Sequence, residues 1–348
     1  MSTQDESGIA FSLLPEEGQQ HFRLLELPPE LLSLLTSDSP PILQFKSQDG
    51  PPSDAGNNAV ICTNVKTFNL RQVNTSNSVY LTQPKDVNVN DDRPSPPGLQ
   101  AIAESDSTLE LLPVPPHPNN AKSQIRAMLP TYSSTGHYQA KELTAKEQLF
   151  ANIPFSEGEC QAAFDYMACF QTENPMGCFV PSGQAKVQAW KSITQEAAAQ
   201  DLDLTSALSV PQAIDIIDTT VDWPTALTKA VQYAIFIPNP LGTSAVTIDE
   251  IHCITFVGLS QLEASTQGLG ATGKAGFMAA WRDLLPEKWR SKVSLELLRN
   301  QYVLENDGRD IALAGSTAEA RSAPGMAVPA AGTKRKWHDK FRASKKTT

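Results

Sequence analysis

Asn174-Pro175-Met176-Gly177, Asn239-Pro240-Leu241-Gly242 and Asn306-Asp307-Gly308 are three turn sequences whose glycines stand 65 and 66 residues apart. Each lies within a short apolar run, which predicts a hairpin with the glycine in its turn. Proline presets φ for such a turn, and glycine accepts φ > 0 without a Cβ clash. Two helix-like stretches precede every hairpin: 144–152 and 156–168, then 184–200 and 224–234, then 274–285 and 286–300. Ser156-Glu157-Gly158-Glu159 has the form of a capping box, and Asp249-Glu250 opens a further helix to about 262. The second and third hairpins are expected at 234–238 with 244–248 and at 302–304 with 311–313.

A helix, helix, strand-turn-strand unit repeated at this interval outlines a winged helix-turn-helix module. Three in tandem, at 140–183, 184–263 and 264–314, suggest an adaptor on nucleic acid rather than an enzyme. Upstream, short runs rich in Val, Ile, Phe and Tyr predict strands at 42–46, 59–63, 66–72, 77–82 and 108–114. Asn64-Val65 forms the expected hairpin turn between the second and third of these, and 22–35 reads as a strand followed by a short helix. The stretches 36–58 and 84–107, rich in Pro, Ser, Asp and Asn, read as long solvated loops. The expected fold is therefore α+β and multidomain. A small, partly open β-barrel-like domain at 20–135, with edges for another chain to pair, precedes the winged-helix array. Residues 1–19 and the basic tail at 315–348 are expected to be disordered.

The net charge of −10 conceals an asymmetry, because residues 334–348 hold seven Lys/Arg and one acid, which leaves −16 on the rest. An acidic body binds nucleic acid only through a local patch and suits basic protein partners. No run of 18 apolar residues is present, and the acidic N-terminus lacks the basic start of a signal peptide. Five cysteines without a Cys-x-x-Cys pair fit a reducing cytosol or nucleus.

The last helix before a wing is the one usually offered to DNA. Helix 156–168 carries Glu157, Glu159 and Asp165 and no base, and 201–263 holds eight acids against Lys229. The third helix carries Lys288, Arg290, Lys292 and Arg299, with Arg282 just upstream, Arg309 at the wing tip and Lys274 as a further candidate. These basic residues are the expected phosphate contacts, without sequence preference. Lys334, Arg335 and Lys336 in the tail read as a nuclear-import signal, a backbone-binding arm, or both. Gly268-Leu269-Gly270-Ala271-Thr272-Gly273-Lys274-Ala275 imitates a phosphate loop. It lacks the Ser or Thr after lysine that would hold Mg²⁺ and the apolar strand before it, so a linker explains it better. Cys160, Cys169 and Cys178 are spaced too widely for a structural zinc site. No acid–base constellation emerges, and neither enzyme activity, a metal nor a cofactor is expected.

Val60-Ile61-Cys62-Thr63, Lys66-Thr67-Phe68, Leu70-Arg71 and Thr75-Ser76-Asn77-Ser78 together resemble the hallmark of the sister chromatid cohesion protein Dcc family. Leu24-Leu25-Glu26-Leu27-Pro28, Ser156-Glu157-Gly158-Glu159, Val246-Thr247-Ile248-Asp249-Glu250 and the Phe277, Trp281 and Leu285-Pro286-Glu287 positions extend the likeness over about 20–315. The resemblance implies a nuclear subunit of the alternative replication factor C clamp loader, acting in DNA replication and cohesion. In that family the β domain assembles with the chromosome-transmission-fidelity AAA+ large subunit and the small subunit. The winged helices contact DNA and the catalytic subunit of polymerase epsilon. Carried onto this chain, Val60, Cys62, Thr63, Phe68, Arg71, Ser76, Asn77 and Tyr80 would build the partner interface. Glu157 and Glu159 would meet the polymerase. The competing expectation is a sequence-specific transcription regulator built on one winged helix.

Overall fold

Six strands build the N-terminal sheet: β1 (Ala10–Leu13), β2 (Leu24–Glu26), β3 (Gln44–Lys46), β4 (Val60–Cys62), β5 (Thr67–Lys85) and β6 (Gly98–Pro113). The computed structural model describes residues 9–19, 22–47, 59–85, 98–115, 118–133, 143–173, 176–218, 224–238, 245–266 and 270–314. The order across the sheet is β1-β6-β5-β4-β3, with β2 also on β6. β5 and β6 pair antiparallel along their length, with register shifts between Asn74 and Val79 and between Leu81 and Thr82. Such bulges bend and twist a strand, and the sheet curls into a half-barrel. Leu31, Ile61, Phe68 and Leu111 form its core, Leu31 coming from α1 (Pro29–Leu35).

Three expectations change here. Within 1–19, expected to be disordered, Ala10–Leu13 form β1 and pair parallel with β6 from Gly98 to Ala101. The strands foreseen at 66–72 and 77–82 are one, and the loop foreseen at 84–107 shrinks because β5 reaches Lys85 and β6 starts at Gly98. Ala101, Ala103 and Ser105 alternate inward along β6, so small residues carry a period-2 pattern without the bulky side chains that usually advertise a strand. Residues 48–58 and 86–97 of the two expected loops lie outside the described residues.

The helical part of this unit begins earlier than expected, with α2 (Pro118–Met128), followed by β7 (Thr131–Tyr132), α3 (Lys146–Asn152), α4 (Glu157–Tyr166), β8 (Phe170–Glu173) and β9 (Met176–Pro181). Ala121, Ile125 and Leu129 repeat every four residues and bury against Leu149, Phe150 and Phe164, the spacing of one helix face. The Lys122 ammonium sits 3.2 Å from the centroid of the Tyr166 ring, tying α2 to α4. Gly177 is not in the turn but in β9, opposite Thr172. Glycine is needed there because a Cβ would come within 2.7 Å of the Leu143 Cβ.

Next come α5 (Gly183–Ala199), β10 (Leu208–Ser209), α6 (Val210–Asp218), α7 (Thr225–Ile235), β11 (Phe236–Pro238) and β12 (Ala245–Ile248). α6 was not foreseen, although Pro211 stands in its first turn, where proline is tolerated. Gly242 lies outside the described residues.

Asp249 opens a second compact unit. It contains α8 (Glu250–Thr266), β13 (Thr272–Gly273), α9 (Lys274–Asp283), α10 (Glu287–Arg290), β14 (Tyr302–Glu305) and β15 (Asp310–Leu313). α8, which the repeat assigned to the module before it, packs within this unit: the Trp281 indole N–H donates to the Ile254 carbonyl at 2.9 Å. The single helix foreseen at 286–300 is instead the one-turn α10 and a 3-10 turn at Leu295–Leu298. Ser294 takes an extended conformation and caps that turn through Glu296 N, and Trp289, Val293 and Leu298 turn inward on either side of the break. Gly308 does occupy its turn at φ +78°, after Asn306 and Asp307, both also at positive φ. Three small sheets share one order, β7-β9-β8, β10-β12-β11 and β13-β15-β14. In each, the second hairpin arm lies between the first arm and a two-residue strand.

All five cysteines are free thiols and buried. Burial raises every one of them, Cys178 to about 11 and Cys160 to about 12. A raised thiol pKa lowers the thiolate fraction at any pH below it. Alkylation at pH 8 is therefore expected to be slow at all five sites in the native chain and fast at all five in denaturant. Rapid native labelling of Cys160 or Cys178, read by mass spectrometry, would contradict this burial.

Candidate functional site

The motif at 60–68 folds into a seam between the sheet and the helices of the same unit. Residues 63–66 turn from β4 to β5, with the Thr63 hydroxyl accepting from the Lys66 and Val65 amides. Thr67 then donates its hydroxyl to Glu159 Oε2 at 2.5 Å and accepts the Ser156 amide at 2.8 Å. Ser156 donates its own hydroxyl to the same carboxylate oxygen at 2.6 Å, and the capping box is complete. Because the Thr67 proton is committed to Glu159, the Cys62 thiol is the donor in its 3.7 Å contact with Thr67 Oγ1. Gly158 donates its amide to the Asn64 carbonyl at 2.8 Å, and a Cβ there would lie 3.0 Å from that oxygen. Thr67 with Ser156 and Glu159, and the Gly158–Asn64 bond, thus hold the sheet to α4. Val60, Cys62, Thr63 and Phe68 are buried in the chain's own interior, Phe68 in the core with Leu31, Ile61 and Leu111.

Facing outward are Arg71, Ser76, Asn77 and Tyr80, spread along β5. Arg71 pairs with Glu110 across the strand at 2.5 Å. Tyr80 donates to Glu104 at 3.1 Å and meets Phe11 edge-on with centroids 5.7 Å apart. Phe11, Leu13, Val79, Leu81 and Leu112 leave 42–51 % of their surface exposed around them. The opposite edge is β3, which pairs only with β4 among the described residues. Open edges are expected from the sequence, but that β3 is one of them, and that these apolar side chains lie exposed, is not, since strand order is not written in any local pattern.

Beside β3 lies a cleft of about 290 Å³, lined by Gln44, Lys46, Lys146, Glu147, Phe150, Ala151, Glu157 and Gln161. The Lys46 ammonium donates to the Phe150 and Phe155 carbonyls at 2.8 and 2.7 Å. The Lys146 ammonium lies 5.5 and 5.3 Å from the centroids of Phe150 and Phe164.

In the C-terminal unit all six expected phosphate contacts, Arg282, Lys288, Arg290, Lys292, Arg299 and Arg309, are exposed. They stand on separate pieces of structure rather than one helix face: the last turn of α9, α10, the turns after it and the β14–β15 tip. Lys292 pairs with Glu250 at 2.7 Å, and Arg290 Nε donates to the Leu285 carbonyl at 3.1 Å. Asp283, Glu287 and Glu296 are interleaved with them. The Lys274 amide donates to the Arg309 carbonyl at 2.9 Å, and Thr272-Gly273 pair with β15. The described part of the glycine-rich stretch therefore closes a small sheet through Thr272, Gly273 and Lys274, while Gly268 and Leu269 lie outside the described residues. Lys334, Arg335 and Lys336 lie outside the described residues. Among those described, no helix is long and apolar enough to cross a membrane, and no group of acidic, His and Cys side chains is placed to hold a metal.

The family model of sister chromatid cohesion protein Dcc1 matches residues 22–314. No curated protein matches the chain. The chain belongs to the Dcc1 family, and its role lies in sister chromatid cohesion, within a cohesion-related complex.

Proposed function

We propose that this Dcc1-family chain is a non-catalytic adaptor subunit of an alternative replication factor C clamp loader in the nucleus. In this reading the half-barrel joins the AAA+ large subunit and the small fidelity subunit, while ATP hydrolysis belongs to other subunits. One observation carries the proposal. Phe45 stands in register with Ile61, which is fully buried, yet is itself 70 % exposed at the open β3 edge. An apolar side chain on the core side of an unpaired strand marks an interior that another chain completes.

The three repeated sheets, each with helices before its hairpin, support winged-helix modules in which the first meets polymerase epsilon and the last meets DNA. Glu157 and Asp165, both exposed on α4, suit a basic surface of the polymerase. Replacing Lys288, Arg290, Lys292 and Arg299 with Ala is expected to weaken DNA binding equally on all sequences. It should also flatten the salt slope by about 3, at ~0.9 per phosphate contact and less for the paired Lys292. Unchanged binding in a salt titration would refute that assignment. The adaptor reading as a whole is tested by affinity purification of the tagged chain from nuclei with mass spectrometry. Clamp-loader subunits and polymerase epsilon are the expected catch, and transcription machinery in their place would overturn it.

A further inference from the structure

The cleft and the β3 edge share two residues, Gln44 and Lys46. Side chains alternate along a strand, so these two face the cleft while Phe45 points to the other side, in register with the core residue Ile61. A strand added outside β3 would therefore lay alternate side chains over the cleft and over Phe45. The two cationic side chains of the cleft are already engaged, Lys46 by two carbonyls and Lys146 over two aromatic rings. Glu147 and Glu157 are exposed on the cleft wall. What the cleft still offers a visitor is carboxylate, with the Phe150 ring as its apolar side.

We propose that β3 is the edge on which a partner strand docks, and that this strand alternates apolar residues with a lysine or arginine. The basic side chain enters the cleft, its aliphatic stem along Phe150 and its charge at Glu147 and Glu157. The apolar residues on its other face cover Phe45 and complete the core. Backbone pairing supplies affinity and the cleft supplies the choice of sequence, as in strand addition generally. The inference rests on the adaptor reading and adds to it which edge is used and what the occupant looks like.

The test uses the full chain, co-purified with the AAA+ large subunit's C-terminal end and the small subunit. Hydrogen exchange is measured at residues 44–46 with and without those partners, and affinity is compared between the native chain and Glu147→Lys/Glu157→Lys. Both substituted positions are exposed, so the variant is expected to fold, which its circular dichroism checks. Slowed exchange at 44–46 and an affinity loss of about tenfold or more are expected. A complex that forms with unchanged exchange at β3 and unchanged affinity in the variant would overturn the β3 assignment and leave the adaptor reading standing. Failure of the native chain to form any complex with these partners would end both.

Discussion

Gly258→Ala is expected to cost about 3 kcal/mol or more, although alanine is the better helix former by ~1 kcal/mol. Gly258 lies inside α8, and a Cβ built on it comes within 2.2 Å of Trp281 Cε2 and 2.3 Å of Cζ2. Trp281 has no room to retreat: it is fully buried, stacks at a tilt on Phe277 5.6 Å away, and donates its indole N–H to Ile254. Inserting a methyl group must either lift α8 from α9 or expel the indole, which loses its burial and leaves an N–H to be satisfied elsewhere. Propensity and packing thus predict opposite signs. Chemical denaturation of the variant, followed by tryptophan fluorescence, decides between them. A midpoint equal to or above the native value would contradict the packing described for the C-terminal unit.

Glu159→Ala is the second large effect, at about 2–4 kcal/mol. The carboxylate accepts from the Thr67 hydroxyl, the Ser156 hydroxyl and the Ser156 amide, and both hydroxyl-bearing residues are buried. Its removal strips the capping box, worth ~1 kcal/mol, and leaves buried donors unmet at ~1–3 kcal/mol. Thr67→Val should act through the same network. A double-mutant cycle between the two positions is accordingly expected to show coupling of about 1 kcal/mol or more. Strict additivity would mean that the sheet and α4 are not joined through this carboxylate.

That seam shows how much of the molecule could be read from its residues and where reading stopped. The capping box at 156–159 and the turn at 63–66 are local chemistry, and both were legible. So were the C-terminal hairpin at Gly308 and the helices at 146–152 and 157–166. What was not local was not legible: Thr67 and Glu159 stand 92 residues apart, and nothing in either segment announces the other. Burial was misjudged for the same reason. The family resemblance places Val60, Cys62, Thr63 and Phe68 at the partner interface, yet they face the chain's own interior. β6 was half missed because alanine and serine fill its inward positions. The helix foreseen at 286–300 was wrong in a different way: no proline or glycine interrupts 287–300, but Ser294 caps a new turn in the middle of it.

The most direct test of the adaptor account is reconstitution. The full chain is co-expressed with the AAA+ large subunit's C-terminal end and the small subunit, and the product is weighed by size-exclusion chromatography with light scattering. The account predicts a single stoichiometric complex of the three that persists in high salt, because an apolar core is being completed rather than surface charges paired. A chain that elutes alone and stays monomeric in their presence would contradict it.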